Sequence, residues 1–482
     1  MQKGQANHPP SLRIFFGTEM WERYGFYVVQ TLLALYLALH FEWEDKKIYP
    51  LVGSFTALTY ISPVIGGWIA DQFLGQKRTI LTGAAILFLS YLTLGLMASN
   101  LGLIIALSGA AVGTGLLKPN ISSLLGNEYP EGAPNRESGF TIFYMGITTG
   151  IILGTTLPSY LNRLFGWPCT FLSAAIGMII AFCVFLYGVH RYQIADYNPK
   201  QYQTHKILYA AIMILLLWLG SFYILRDLAL ANGVFAAVVL LSLTYLLSSI
   251  KQESAAQARQ TIIIGLLCLI SIMFWAFYFQ MFLSFILFLK RVVQPTLFGF
   301  YFPPPYYVAI QSLGMIVFGF FLARNKHHSN KIQRSINIGN KFLLAMVLMT
   351  IAFALITLVC YLSQDSNLLY PLYIIPAYLI ISLAELLLSP VGLAAITMLS
   401  SHKRVSTMMG IFFVSLGLGG FLSGKLATIT AIDETNLSIM GVKAHYATSF
   451  THLLYILIAA TIVSFILNRI IKHLILLTPN TK

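Results

Sequence analysis

Long apolar stretches follow one another along the whole chain, with short polar links between them. A helix needs about 20 apolar residues to cross the hydrocarbon core of a bilayer, so this pattern predicts membrane-spanning helices. The predicted helices cover residues 14–39, 49–70, 79–98, 101–126, 140–161, 169–189, 207–225, 229–250, 261–289, 296–323, 342–363, 371–399, 407–429 and 447–468. They number fourteen, in groups of six, two and six, because polar links at 190–205 and 251–260 set the middle pair apart.

This grouping predicts the domain organisation of an all-α integral membrane protein. We expect an N-terminal six-helix bundle at 1–190, a linker with two extra transmembrane helices at 191–260, and a C-terminal six-helix bundle at 261–482. The first apolar stretch is longer than that of a signal peptide and lacks a small-residue cleavage site. We therefore expect it to remain as the first helix.

The composition agrees with a lipid environment. Hydrophobic residues make up 57% of the 482 residues and charged residues only 10%, against about 25% charged residues in ordinary soluble domains. The net charge is +14, but Lys and Arg are dispersed among short loops and form no basic stripe, so we expect a bilayer and not a nucleic acid as partner. Twenty of these residues lie on the side of the N-terminus and seven on the other, which predicts that both termini are cytoplasmic.

Several charged residues lie inside the predicted spans, where each alone costs several kcal/mol. They are Glu19, Glu22, Arg23, Lys118, Glu385 and Lys425. Arg23 lies four residues after Glu19, and Glu22 lies three residues after Glu19. One helix can therefore place both carboxylates beside the guanidinium. Lys118 and Glu385 come from different halves and are candidates for a pair between bundles. Lys425 lies near a helix end and is expected to extend toward water.

This cluster has two interpretations. Ionisable groups inside a membrane are by default residues of a transport path or proton relay, and the alternative is a static polar clasp between helices. A membrane-embedded enzyme is disfavoured, because no His-Glu-x-x-His motif occurs and no histidine lies near the buried charges. A channel is disfavoured because the charges form one asymmetric, balanced set and no ring of like charge.

Six short motifs occur in a fixed order between residues 17 and 424. They are EMWERYGFY (19–27), GGWIADQFLGQKRTI (66–80), GTGLLKPNISSLLG (113–126), FYMGITTG (143–150), FWAFYFQ (274–280) and AELLLSPVGL (384–393). Together they resemble the proton-dependent oligopeptide transporters, a branch of the major facilitator superfamily. Within the second motif, Asp71, Gly75, Lys77 and Arg78 match the loop motif of the superfamily. The extra helix pair is similar to that of bacterial members.

The resemblance implies a major facilitator fold, with two six-helix bundles that open a central cavity to each side in turn. It implies proton-coupled symport of di- or tripeptides or peptide-like solutes, with protons as the coupling ion and no other cofactor. We also expect a monomer in the bacterial inner membrane. The implied proton-coupling residues are Glu19, Glu22 and Arg23. The implied substrate-binding residues are Arg23, Tyr27, Tyr60, Lys118, Thr148, Trp275, Glu385 and Ser389.

The chain departs from the family at an outer gate. Where members often carry an ion pair, this chain has Gln30 and Phe279. Loss of one partner would strand a buried charge, whereas loss of both can be nearly neutral. We therefore expect an outer gate closed by packing and neutral hydrogen bonds.

The pocket departs from the family too. Thr148 and Phe412 stand where members have an asparagine and a tryptophan, and no Asn occurs between Gln280 and Asn325. Amide groups that could hold a peptide backbone are thus missing at these positions. This leaves a carrier for a non-peptide or amino-acid-like solute as an alternative, and a non-transporting sensor on the same fold as another.

Overall fold

The computed structural model describes residues 8–130, 133, 135–196, 204–324, 331–363, 365–401, 404–432 and 437–477. These residues are largely α-helical. The helices are α1 (Leu12–Leu39), α2 (Asp45–Ile69), α3 (Gln76–Leu96), α4 (Asn100–Asn127), α5 (Arg136–Arg191), α6 (Thr204–Arg226), α7 (Leu228–Gln252), α8 (Ala255–Tyr278), α9 (Ser284–Val292), α10 (Pro305–Arg324), α11 (Lys331–Leu362), α12 (Ile375–Leu399), α13 (Val405–Ala427) and α14 (Ile439–Leu476). Two short antiparallel strands, β1 (Thr296–Leu297) and β2 (Phe300–Tyr301), precede α10.

Serine side chains begin several of these helices. The hydroxyl oxygens of Ser99, Ser254 and Ser438 accept hydrogen bonds from the backbone N–H three residues later, at the starts of α4, α8 and α14. Each bond satisfies one of the N–H groups that a helix start leaves without a partner. These capping residues explain why the helices begin where they do.

Helices α11 and α14 are longer than the spans predicted at 342–363 and 447–468, and three further places differ in kind. Helix α5 is 56 residues long and covers two predicted spans, and Gly166 interrupts it with φ 77° and ψ −174°. The span predicted at 261–289 is divided, because the 3₁₀ turn Phe279–Phe282 separates α8 from α9. The start predicted at residue 296 is wrong. The strands and the prolines at 303 and 304 occupy that stretch, and α10 begins at Pro305.

Twelve helical segments of the described chain are long and apolar enough to cross a membrane. Helix α1, with Glu19, Glu22 and Arg23, is not among them, and the 56-residue α5 counts once. At ~1.5 Å per residue, α5 would greatly exceed a ~30 Å hydrocarbon core, so its interruption at Gly166 matters for the topology. The total of fourteen spans stays a prediction.

The chain packs into two compact units. Unit 1 comprises Met1–Leu33 and Leu58–Leu228, and unit 2 comprises Ala34–Ala57 and Ala229–Lys482. In unit 1, α3 packs on α4 and α5, and α6 packs on α4; in unit 2, α11 packs on α12 and α14, and α8 packs on α13. Helices α1 and α2 contribute residues to both units. The predicted three-part division of the chain at 190 and 260 stays a prediction.

The extra helix pair is divided between the units. Helix α6 lies in unit 1, where Trp218 Nε1 donates to Ile105 O at 3.2 Å and to Ser108 Oγ at 3.0 Å. Most of α7 lies in unit 2, where the ring of Phe235 packs 4.3 Å from that of Phe421. Only 17% of the apolar window of each helix is buried, so most of its surface suits contact with lipid.

Candidate functional site

The first charged cluster lies on α1 within unit 1. Arg23 Nη2 donates to Glu22 Oε1 at 2.6 Å, and Arg23 Nε donates to Glu22 Oε2. Arg23 Nε also lies 3.4 Å from Glu19 Oε1. All three residues are at least 97% buried. The two carboxylates thus share one guanidinium, as the sequence spacing predicted, and Glu19 Oε2 is buried without a partner among the described residues.

Lys118 joins this cluster from α4. Its Nζ lies 4.9 Å from the centre of the Tyr60 ring, a cation–π distance, and it interacts electrostatically with all three α1 charges. Two acids and two bases make this set neutral overall. The neighbouring glycines Gly66 and Gly115 bring α2 and α4 into backbone contact, which holds Tyr60 and Lys118 side by side.

Other predicted residues of unit 1 lie on α1 itself and on α5. Helix α5 approaches Arg23 closely, because a Cβ on Gly150 would lie 2.8 Å from Arg23 Cβ. Two residues earlier in the sequence, the half-buried Thr148 donates its hydroxyl hydrogen to Tyr144 O at 3.1 Å, within its own helix. Tyr27 is half-buried and Gln30 is buried. Thr148 therefore offers a ligand an acceptor but not a free donor.

The acidic centre of unit 2 is Glu385 on α12. Tyr278 Oη donates to Glu385 Oε2 at 2.8 Å, and Gln311 Nε2 donates to the same oxygen at 2.6 Å. No described residue donates to Oε1, and Glu385 forms no ion pair among the described residues. The side chain is half-buried. Glu385 is thus a carboxylate held by neutral donors on one oxygen, and its other oxygen accepts no hydrogen bond from the described residues.

An aromatic wall adjoins Glu385. Trp275 lies 4.7 Å from the Tyr278 ring and 5.4 Å from the Phe279 ring, centre to centre. Trp275 Nε1 is buried without a partner among the described residues. Phe279 is 2% exposed and packs within this wall, beside the rings of Trp275, Tyr278 and Phe282. Its role at an outer gate stays a prediction.

The remaining predicted pocket residues of unit 2 lie further along α12. Ser389, one turn after Glu385, is half-buried. Phe412 on α13 is buried and packs against Gly392, where a Cβ would meet the Phe412 ring. The aromatic ring at this position therefore supports the packing of α12 on α13.

Sequence reasoning missed Tyr278 and Gln311 as partners of Glu385. It also missed Tyr307 and Tyr378, whose hydroxyls are buried without partners among the described residues and whose rings lie 5.3 Å apart. The available signal was a polar side chain inside an apolar helix, which is costly unless it has a partner or a task. Gln311, within VAIQSLGMI, is the clearest example.

The loop motif builds the start of α3. Gly75 has φ 76°, in the left-handed region that favours glycine. Lys77 N donates to Asp196 Oδ1 at 2.9 Å, and Lys77 Nζ donates to Ile194 O at 2.9 Å. Asp71 and Arg78 are exposed. The segment after α5 therefore caps α3, a contact that the sequence did not indicate.

A charged pair elsewhere in unit 2 was also missed. At the start of α2, Asp45 accepts two hydrogen bonds of 2.7 Å from Arg291, at the end of α9. Ile432 N donates to Asp45 Oδ2 at 3.1 Å, and Arg291 also donates to Tyr446 Oη at 2.9 Å. The sequence placed Arg291 in a loop and gave it no partner.

The described residues contain no group of three or more His, Cys, Asp or Glu side chains that could hold a metal ion. Ligand chemistry in the part of the chain described therefore falls to the acids, bases, hydroxyls and aromatic rings above.

Comparison with known sequences identifies relatives over most of the chain. The profile of the POT family matches residues 77–444. The chain is 29% identical over 431 residues to dipeptide and tripeptide permease A of Erwinia pyrifoliae, covering 88% of this chain and 87% of the relative. It is 29% identical over 435 residues to dipeptide and tripeptide permease B of Edwardsiella piscicida, covering 89% and 88%.

Solved structures share the fold. Tetrameric PepTSo2 superposes with a TM-score of 0.84 at 24% identity, covering 96% of this chain and 99% of that chain. A bacterial homologue of the human drug peptide transporters PepT1 and PepT2 gives 0.82 at 25% identity, covering 96% and 99%. A POT family transporter in complex with 5-aminolevulinic acid gives 0.80 at 22% identity, covering 98% of each chain. These likenesses confirm the predicted all-α major facilitator fold.

Proposed function

The chain belongs to the POT family, and from this membership we propose that it carries di- or tripeptides, or peptide-like solutes, across the membrane together with protons. It is a multi-pass membrane transporter and not an enzyme, because its relatives are permeases. The fold supports transport by alternating access, in which two states expose the ligand site to opposite sides.

The single observation that carries the choice of ligand is the set of partners of the Glu385 carboxylate. This carboxylate has no cationic partner among the described residues, and one of its oxygens receives no donor. An ammonium group of a ligand supplies the missing counter-charge. The amino terminus of a peptide therefore suits Glu385, and the carboxylate of a peptide suits Arg23 or Lys118. The direct pairing of Lys118 with Glu385 stays a prediction.

The α1 cluster supports proton coupling. Glu22 shares Arg23 with Glu19, so both carboxylates contact one guanidinium. A ligand carboxylate that binds Arg23 would weaken this contact and let Glu22 take up a proton. Ligand binding and proton binding then strengthen each other, as linkage requires.

Membership of the family also supports proposals on location, topology, coupling ion and assembly. We place the protein in the bacterial inner membrane with both termini cytoplasmic, in line with its loop charges and its bacterial relatives. We propose protons as the coupling ion, no other cofactor, and a monomer as the transporting unit. A similar solved structure is tetrameric. Light scattering in detergent measures whether monomers of this protein also assemble.

A second candidate ligand class is an amino-acid-like solute. Thr148 has no free donor and Phe412 supplies no polar group, so the described pocket residues offer little for a peptide backbone. A transporter of similar fold is known in complex with 5-aminolevulinic acid, which has an amino group and a carboxylate but no peptide bond. Such a solute satisfies the same two charges.

Transport assays on the purified protein in proteoliposomes test these proposals. We expect labelled dipeptide to accumulate when an inward proton gradient is imposed, and to exchange without the gradient when unlabelled dipeptide is inside. Competition by free amino acids and by 5-aminolevulinic acid distinguishes the two ligand classes. Binding of dipeptide without exchange of label would show a sensor and overturn the transport proposal.

A further inference from the structure

Three helices of unit 2 meet at one oxygen of Glu385. Tyr278 is the last residue of α8, Gln311 lies on α10 and Glu385 on α12. Both donors bind Oε2, at 2.8 Å and 2.6 Å, although a carboxylate offers two oxygens with about four lone-pair sites. The donors therefore occupy one oxygen of the carboxylate, and no described residue donates to the other.

The two donors are themselves held in place. The Tyr278 ring packs between aromatic neighbours, with ring centres 4.7 Å from Trp275 and 5.5 Å from Phe279. Gln311 is 2% exposed, and its backbone carbonyl accepts a hydrogen bond of 2.7 Å from Ser382 Oγ. Gly314 allows this approach, because a Cβ there would lie 2.5 Å from Ser382 Oγ. These contacts hold the Tyr278 ring and the Gln311 backbone in place before any ligand arrives.

Asp45, another carboxylate of the same unit, is hydrogen-bonded more completely than Glu385. Both oxygens of Asp45 accept from Arg291, and Oδ2 also accepts from Ile432 N. Asp45 therefore has donors on both oxygens, three in all. Glu385 has neutral donors on one oxygen only, so its other oxygen is open to a donor from a ligand.

We propose that Tyr278 and Gln311 are positioning residues that fix the Glu385 carboxylate through Oε2, so that Oε1 is presented to the ammonium group of the transported solute. This inference rests on the proposed function and adds the two residues that orient the carboxylate. Fixed donors reduce the reorganisation needed when the ligand binds, which is the general benefit of preorganisation.

Uptake by the variants Tyr278→Phe and Gln311→Leu, in proteoliposomes, tests the proposal. Each substitution removes one donor to a charged acceptor, and we expect Vmax/KM for a free-amine dipeptide to fall about tenfold, mainly through KM. The preference for Ala-Ala over N-acetyl-Ala-Ala as competitor should shrink in the same variants. Controls are Tyr361→Phe and Gln294→Leu, which change the same residue types elsewhere in unit 2.

The same substitutions in a Glu385→Gln background separate positioning from general structural support. If the donors act through the carboxylate, each should change Vmax/KM less than about twofold once Glu385 is neutral, because the effects of coupled residues do not add. Equal losses in both backgrounds, or no loss in the parent background, would overturn the inference. Parent protein that takes up no peptide at all would instead refute the proposed function.

Discussion

Individual carboxylates of this protein differ in how fully the protein satisfies them. Asp45 is 3% exposed, and Arg291 and Ile432 N supply donors to both of its oxygens. Glu385 has one oxygen occupied, and Glu19 Oε2 has no partner among the described residues. A saturated carboxylate suits a structural task, whereas an open one suits a ligand or a proton.

Breaking the Asp45–Arg291 pair should destabilise the protein more when one partner is removed than when both are. In Asp45→Ala the Arg291 guanidinium keeps its charge without a carboxylate. This should cost near the low end of roughly 3–5 kcal/mol, since the Arg291 side chain is 29% exposed. The double variant Asp45→Ala/Arg291→Met removes both charges. The readout is the apparent melting temperature in detergent.

The exposed Glu137→Ala serves as control for this series. We expect it to melt like the parent, and the double variant to melt between the parent and Asp45→Ala. A double variant that melts lower than the single variant would contradict the argument from a stranded charge.

A pH-dependent contact lies in the loop after α11. The buried ammonium of Lys443 donates to Asp365 Oδ1 at 2.7 Å and to the carbonyls of Ser363 and Asn367. The hydrogen bond from Lys443 holds the pKa of Asp365 below its ordinary value of 3.8. Because the folded pKa is depressed, this contact stabilises the fold above pH 3.8 and is lost as pH falls through the lower folded value.

The variant Asp365→Asn tests this sign. We expect it to melt below the parent at neutral pH. The difference should shrink as pH falls below about 4, where the unfolded parent begins to bind a proton at Asp365, and vanish below the lower folded pKa. Melting curves in detergent across this pH range measure the effect. A difference that stays constant over the whole range would show that Asp365 acts without its charge.

Sequence alone predicts the charged groups at this scale but not their neutral partners. The contact of Glu19 with Arg23 lies within about one turn of one helix, so spacing is enough to predict it. The donors to Glu385 lie 107 and 74 positions away in the chain. Hydrophobic periodicity places both donors in helices. It does not determine which helices pack together or how far one helix is shifted along its neighbour.

At the scale of helices, limits were predictable where a local signal exists. Ser99 caps α4, whose start was predicted within one residue, whereas Ser254 caps α8, whose span was predicted to start only at 261. The start of α10 was missed because hydropathy cannot distinguish the apolar strands β1 and β2 from a helix, although the prolines before Pro305 disfavour one. Close helix crossings were not predictable, because a glycine in an apolar helix does not indicate which other helix packs against it.

The crossing of α2 and α4 gives a prediction for Gly115→Ala. A Cβ at this position would lie 2.5 Å from Ser62 Cβ and 2.8 Å from the backbone carbon of Ser62. The helices must separate, which should cost about 1–3 kcal/mol as overpacking does. Lys118 follows one turn later, so we expect both the apparent melting temperature and dipeptide uptake to fall.

The matched control is Gly220→Ala on α6, where a Cβ would meet nothing within 4 Å. This variant should melt and transport like the parent. If Gly115→Ala behaved in the same way, the backbone contact between α2 and α4 would not be what holds Tyr60 beside Lys118.

At the scale of the molecule, the two units carry their charges differently. Unit 1 holds the neutral set of Glu19, Glu22, Arg23 and Lys118, whereas Glu385 of unit 2 has only neutral donors among the described residues. Hydropathy predicted two bundles, but not that α1 and α2 contribute residues to both units. The boundaries of the two units depend on how the helices pack, and the hydropathy pattern of one sequence does not contain that information.

Because the balanced set contains the two acids next to Arg23, we expect proton coupling to depend on unit 1. Glu22→Gln keeps the size of the side chain and removes its proton site, while Arg23 retains Glu19. Accumulation of dipeptide against its gradient should then fall at least tenfold under an imposed proton gradient. Counterflow, which needs no proton movement, should continue, because the groups proposed to bind the ligand, on Glu385, Arg23 and Lys118, remain.

The two readouts together locate the coupling. Loss of both accumulation and counterflow would assign Glu22 to ligand binding or to stability, and accumulation equal to that of the parent would remove Glu22 from proton coupling. The exposed Glu137→Gln on α5 controls for loss of a carboxylate as such and should accumulate dipeptide normally. Since linkage is reciprocal, a coupled Glu22 also requires that the apparent dipeptide affinity of the parent change with pH, and that this dependence weaken in Glu22→Gln.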